Sequence, residues 1–75
     1  MTYKDALSAY LSKPGCTELA LAEAIGRKQP TINRYRKGER FQDAHTARLI
    51  DERTGGEVPF SVWQSEFLNR SGLAA

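Results

Sequence analysis

Residues 18–38, ELALAEAIGRKQPTINRYRKG, admit few folds. They hold two short helix-compatible stretches, parted at Gly26 and closed at Gly38. Thr17 suits the N-cap of the first stretch, and Glu18 lies in its first turn, where the helix dipole favours a carboxylate. Leu19, Ala20, Leu21, Ala22, Ala24 and Ile25 are apolar, and Gly26 suits a left-handed C-cap. A second helix is expected over 29–37, because Pro30 fits only a first turn, where its missing N–H costs nothing. Lys28 is not an ordinary capping residue. Helices this short are marginal in water, so both must be held by packing.

The rest of the chain supplies that packing. Its 75 residues make one domain. A helix is expected over 3–12, with Thr2 as N-cap, an apolar stripe of Tyr3, Leu7, Tyr10 and Leu11, and Pro14-Gly15 as its end. A fourth is expected over 43–53, with Ala44, Ala47, Ile50 and Leu49 supplying its inner face, closed by Gly55-Gly56. Pro59 opens a fifth over 59–69, where Phe60, Trp63 and Phe67 align at helical spacing. The competing reading is a strand around 57–62 in a hairpin; Pro59 disfavours a central strand. The expected fold class is all-α with five helices, and the runner-up is α+β with a C-terminal β-hairpin. The domain is expected over 1–69, with 70–75 a frayed tail.

Charge is concentrated in one window. Residues 27–40 hold Arg27, Lys28, Arg34, Arg36, Lys37 and Arg40 against Glu39 alone, while the segments on either side are net acidic. Such a patch favours a polyanionic partner. No stretch approaches the roughly 20 apolar residues of a membrane span, and MTYKDAL lacks the pattern of a secretory signal. Cys16 is the only cysteine, which excludes a disulfide within the chain; a cytoplasmic setting is expected. His45 is the sole histidine, and with Cys16 far from it in sequence no metal set appears. Ser8, Ser12 and Ser61 have no recognisable catalytic partners. No enzyme activity, cofactor, metal or membrane partner is expected.

A tight pair of short helices can lay one helix across a DNA backbone and the other in the major groove. The geometry needs a small residue at the close approach, Ala22, and a turn residue four positions later, Gly26. Leu21 and Ile25 on the first helix and Ile32 and Tyr35 on the second complete the helix-turn-helix frame. With Ile32 and Tyr35 inward, Gln29, Asn33 and Arg34 face out. Glutamine and asparagine match adenine, and arginine matches guanine, each good pair being worth about 1–3 kcal/mol of discrimination. Pro30 sits where it can touch a thymine methyl. Arg36, Lys37 and Arg40 lie toward the exit end and are expected on phosphates; Lys28 suits either a base edge or a phosphate.

TELALAEAIGRKQPTINRYRKGER resembles the helix-turn-helix core of the small Cro-like phage and prophage repressors, and of the related YdaS-like antitoxin and regulator group. The likeness covers roughly residues 3–56. It is carried by the alanine-glycine-isoleucine-aromatic framework, the GRKQPTIN turn and the closing ERTGG segment. It implies a compact lambda-repressor-like DNA-binding domain, with Gln29, Pro30, Asn33 and Arg34 at base-facing positions. It also implies a Cro-type repressor that binds a pseudo-palindromic operator in double-stranded DNA as a weak homodimer. Glu18 departs from the pattern, standing where the family often has a phosphate-contacting glutamine. A carboxylate there repels phosphate, which leaves Thr17 and the backbone N–H groups of that helix start as the contacts. Family members end in a helix or in a β-hairpin, so residues 57–69 stay open on this ground. Phe60, Trp63 and Phe67 are either core or dimer contact. An antitoxin or accessory regulator acting through a protein partner, and a pure protein-interaction module, are the alternative functions.

Overall fold

Capping side chains set most of the helix starts. A computed structural model of the chain describes residues 2–70. Its helices are α1 (Tyr3–Leu11), α2 (Glu18–Ile25), α3 (Gln29–Lys37), α4 (Ala44–Arg53) and α5 (Phe60–Arg70). Thr2 Oγ1 accepts the Asp5 N–H at 3.2 Å, Thr17 Oγ1 accepts that of Ala20 at 3.0 Å, and Asp43 Oδ1 accepts that of Thr46 at 2.7 Å. The Asp43 bonds lower its pKa, against a burial penalty. α3 starts at Lys28 with no side-chain cap and relies on Pro30 in its first turn. Gly26 and Gly38 end α2 and α3 in the left-handed region, at φ 71° and 78°. A Cβ on Gly26 would meet nothing within 4 Å, so backbone sign alone demands glycine there.

The described residues form five helices and no strand, so the fold class is all-α and the hairpin is set aside. A Cα radius of gyration of 11.7 Å is close to the roughly 11 Å of a compact domain this size. α2 packs on α3 and α4, α1 on α3 and α5, and α4 on α5. The core holds Tyr3, Ala6, Leu7 and Leu11 from α1, Leu21, Ala22 and Ile25 from α2, and Ile32 and Tyr35 from α3. Ala47, Ile50, Val58 and Trp63 complete it.

Two inner-face expectations are corrected. Tyr10 is only half-buried and Ala6 takes the inner position on α1. On α4, Ala44 is exposed and Thr46 is buried instead. Burial of that hydroxyl is tolerated because Arg27 Nη2 donates to Thr46 Oγ1 at 3.1 Å. Pro59 precedes α5 rather than lying inside it. Of the tail expected over 70–75, Arg70 ends α5 and the other residues lie outside the described ones.

The start of α5 is tied down from α4. Asp51 Oδ2 accepts the Phe60 N–H at 2.8 Å, meeting one of the donors a helix leaves open at its first turn. At the other end of the fold, Glu66 Oε1 accepts the Tyr3 N–H at 3.2 Å, joining α5 to the start of α1. Asp51→Ala is expected to cost about 1 kcal/mol, as losing a capping carboxylate does. That is a fall of roughly 4–8 °C in thermal midpoint for a domain this small. An unchanged midpoint would show that the Asp51–Phe60 bond contributes nothing.

Candidate nucleic-acid interface

Helix α3 is fixed by what it buries. Ile32 is fully enclosed and Tyr35 is 5% exposed, so the opposite side of the helix must face outward. Helical spacing divides that side into two stripes. Gln29, Asn33 and Arg36 form one, beside the start of α2. Pro30, Arg34 and Lys37 form the other, all three exposed.

The first stripe converges on Glu18. Asn33 Nδ2 donates to Glu18 Oε2 at 3.1 Å and to Oε1 at 3.4 Å. Gln29 Nε2 donates to Oε1 at 3.4 Å, and Arg36 Nη1 pairs with Oε2 at 3.3 Å. The Glu18 side chain is only 13% exposed, which places the carboxylate inside this ring of donors. Burial opposes its ionisation, but the hydrogen bonds from Asn33, Gln29 and Arg36 outweigh burial and hold its pKa below the ordinary value of 4.5. The cluster therefore stabilises the fold above that ordinary value, and the contribution is lost as pH falls through the lower folded value. Wild type is expected to melt above Glu18→Gln at neutral pH. The gap between them should close as pH falls below the ordinary carboxylate range, through the lowered folded value at which Glu18 protonates. A gap independent of pH would mean that the charge contributes nothing.

The second stripe has a different character. Among the described residues, the side chains of Lys28, Arg34, Lys37 and Arg40 make no hydrogen bond or ion pair, and all four are exposed. Arg27 is separate, since its guanidinium bonds Thr46 and the Gly26 carbonyl. Thr17 lies exposed at the start of α2, its hydroxyl oxygen already accepting the Ala20 N–H. The frame residues Leu21, Ala22, Ile25, Ile32 and Tyr35 are all buried, with Gly26 at the turn between the helices. Glu18 has a role that the sequence did not show: its carboxylate accepts from three side chains of α3. Its partners lie 11, 15 and 18 positions away, beyond the reach of any local pattern.

The aromatic residues form a second feature, on the α5 side. Trp63 stacks on Phe41, Phe60 and Phe67 at centroid distances of 5.6, 5.1 and 5.0 Å. Its indole Nε1 donates to the Gln42 carbonyl at 2.9 Å, and the side chain is 5% exposed. Trp63 is therefore core. Phe60 is half-buried and Phe67 is 42% exposed. Arg48 lies over the Phe60 ring and Arg70 over the Phe41 ring, each 4.4 Å from the centroid. An apolar groove of about 500 Å³ runs along this stack.

Among the described residues, no three His, Cys, Asp or Glu side chains are grouped to hold a metal ion, and no helix is long and apolar enough to cross a membrane. No family model, curated protein or solved structure matches the chain. The resemblance to Cro-like repressors rests on the motif residues alone.

Proposed function

We propose that this chain is a sequence-specific transcriptional repressor of Cro type, binding a pseudo-palindromic operator in double-stranded DNA as a dimer. In this reading α2, Gly26 and α3 are a helix-turn-helix, and α3 enters the major groove. One observation carries the proposal. The outward side of α3 presents Pro30, Arg34 and Lys37, flanked by Lys28 and Arg40, with no acidic side chain paired to any of the four cations among the described residues. A solvated helix face ordinarily mixes its charges; the charged side chains of this stripe, Arg34 and Lys37, are both basic, which suits phosphate neutralisation.

The roles divide by position. Gln29, Asn33 and Arg34 meet base edges, and Pro30 meets a thymine methyl at the entering end. Thr17, Lys28, Arg36, Lys37 and Arg40 meet phosphates, with Arg36 sharing its charge with Glu18. In this reading the α5 groove lined by Phe41, Phe60 and Phe67 takes a second copy of the chain, and a two-fold dimer would read half-sites about 34 Å apart. Occluding a promoter then needs nothing beyond the bound domain.

Selection of bound sequences from a random duplex library at near-physiological salt is the test. A pseudo-palindromic consensus is the expected result. No enrichment over the starting library would end the sequence-specific reading.

A further inference from the structure

A primary amide can be placed in either of two orientations, with its nitrogen and oxygen exchanged, and its hydrogen-bond partners decide which. For Asn33 and Gln29 the deciding partner is a carboxylate. An ionised carboxylate only accepts. Both amides must therefore turn their nitrogens toward Glu18, as the bonds at 3.1–3.4 Å from Asn33 and 3.4 Å from Gln29 show. The oxygen occupies the other arm of each amide, and neither Asn33 Oδ1 nor Gln29 Oε1 is engaged by another side chain among the described residues. Asn33 is the better determined of the two, being half-buried and in reach of both carboxylate oxygens.

We infer that Glu18 is a specificity-determining positioning residue: by holding the amide nitrogens of Asn33 and Gln29, it presents their carbonyl oxygens to the DNA and selects base edges that carry an exocyclic amine. This rests on the DNA-binding reading above. In the major groove an amine donor lies at adenine N6 and cytosine N4, whereas guanine O6 and N7 and thymine O4 are acceptors. An outward carbonyl oxygen pairs with the first two and is repelled by the others. Asn33 turns its nitrogen to both carboxylate oxygens, so its reading rests on the outward oxygen, and adenine and cytosine are both admitted. Glu18 itself contacts no base. Arg36 offsets its charge, so the carboxylate can sit beside a phosphate backbone with less repulsion than a bare anion.

A glutamine at position 18 offers an oxygen and an N–H, and so accommodates either amide orientation. The base read by Asn33 should then no longer be restricted to amine-bearing edges. Glu18→Ala removes the acceptor altogether and should have the same effect. Neither change touches the Thr17 cap or the Leu21, Ala22 and Ile25 core, so both variants should fold.

The experiment is duplex-library selection with wild type, Glu18→Gln, Glu18→Ala and Asn33→Ala, all as the full chain. The position whose preference Asn33→Ala erases is the one Asn33 reads. On the strand it faces, wild type should hold adenine or cytosine there, by about fivefold or more over guanine and thymine. Both Glu18 variants should admit guanine or thymine at that position alone. Guanine or thymine in the wild-type consensus at that position overturns the inference. So does an unchanged preference in the Glu18 variants, including one accompanied by a uniform loss of affinity, which is what a merely structural role produces. These failures leave the DNA reading standing, because a consensus has still been obtained. Absence of any wild-type consensus overturns both.

Discussion

Trp63→Ala should strip the domain of a large share of its stability at 25 °C. Removing a buried tryptophan costs about 3–5 kcal/mol, and a chain of this size has roughly 4–11 kcal/mol to lose. Three features put this site at the upper end. The indole is 5% exposed and stacks on three phenylalanine rings, so its loss opens a cavity that no single neighbour can fill. Its N–H meets the Gln42 carbonyl, which the substitution leaves without that partner. It also joins α5 to the segment between α3 and α4, so the damage is not confined to one helix. Trp63→Phe keeps a ring and loses the N–H, and should cost less than half as much. Phe67→Ala should cost less again, because that ring is 42% exposed. Urea unfolding followed by far-ultraviolet circular dichroism reads all three. Comparable losses for Trp63→Ala and Phe67→Ala would mean that the stack, rather than the buried indole, holds α5.

The parts of this fold that were legible in the sequence are those set by local chemistry. Thr17 and Gly26 mark the ends of α2 because a capping hydroxyl and a positive φ act within one turn of chain. Pro30 and Gly38 do the same for α3. Burial of Ile32 and Tyr35 followed from their spacing, and with it the outward placement of Arg34 and Lys37. What failed depended on distant partners. Thr46 displaces Ala44 from the inner face of α4 because Arg27, nineteen positions earlier, bonds its hydroxyl. The donor cluster around Glu18 also escaped local reading, since its partners come from across the fold. For α5, the spacing of Phe60, Trp63 and Phe67 indicated a helix, but the carboxylate that meets its first N–H comes from Asp51 on α4. The hairpin stayed open only because members of the resembled family end in either form.

Arg34→Ala and Lys37→Ala should fail differently on DNA, although the two residues lie three apart on the same outward stripe of α3. Arg34 is assigned to a base edge, where a bidentate pair with guanine is worth about 1–3 kcal/mol. Its loss should reduce affinity for the selected duplex by roughly 5- to 150-fold per half-site and erase the preference at one position. Binding to unrelated duplex should change far less. Lys37 lies one turn further along, at the end of the helix, and is assigned to a phosphate. Its loss should weaken binding to every sequence by a similar factor and reduce the salt slope by about one for each protomer bound. Neither side chain has a partner within the described part of the chain, so neither substitution removes a stabilising contact. Thermal midpoints should therefore stay near wild type, and any change in affinity reports on the interface itself. Titrations against the selected duplex and a scrambled one, each at several salt concentrations, separate the two behaviours. If both variants lost affinity equally on both duplexes with equal changes in slope, α3 would be gripping the backbone without reading it, and the division of its outer face into reading and gripping residues would fall.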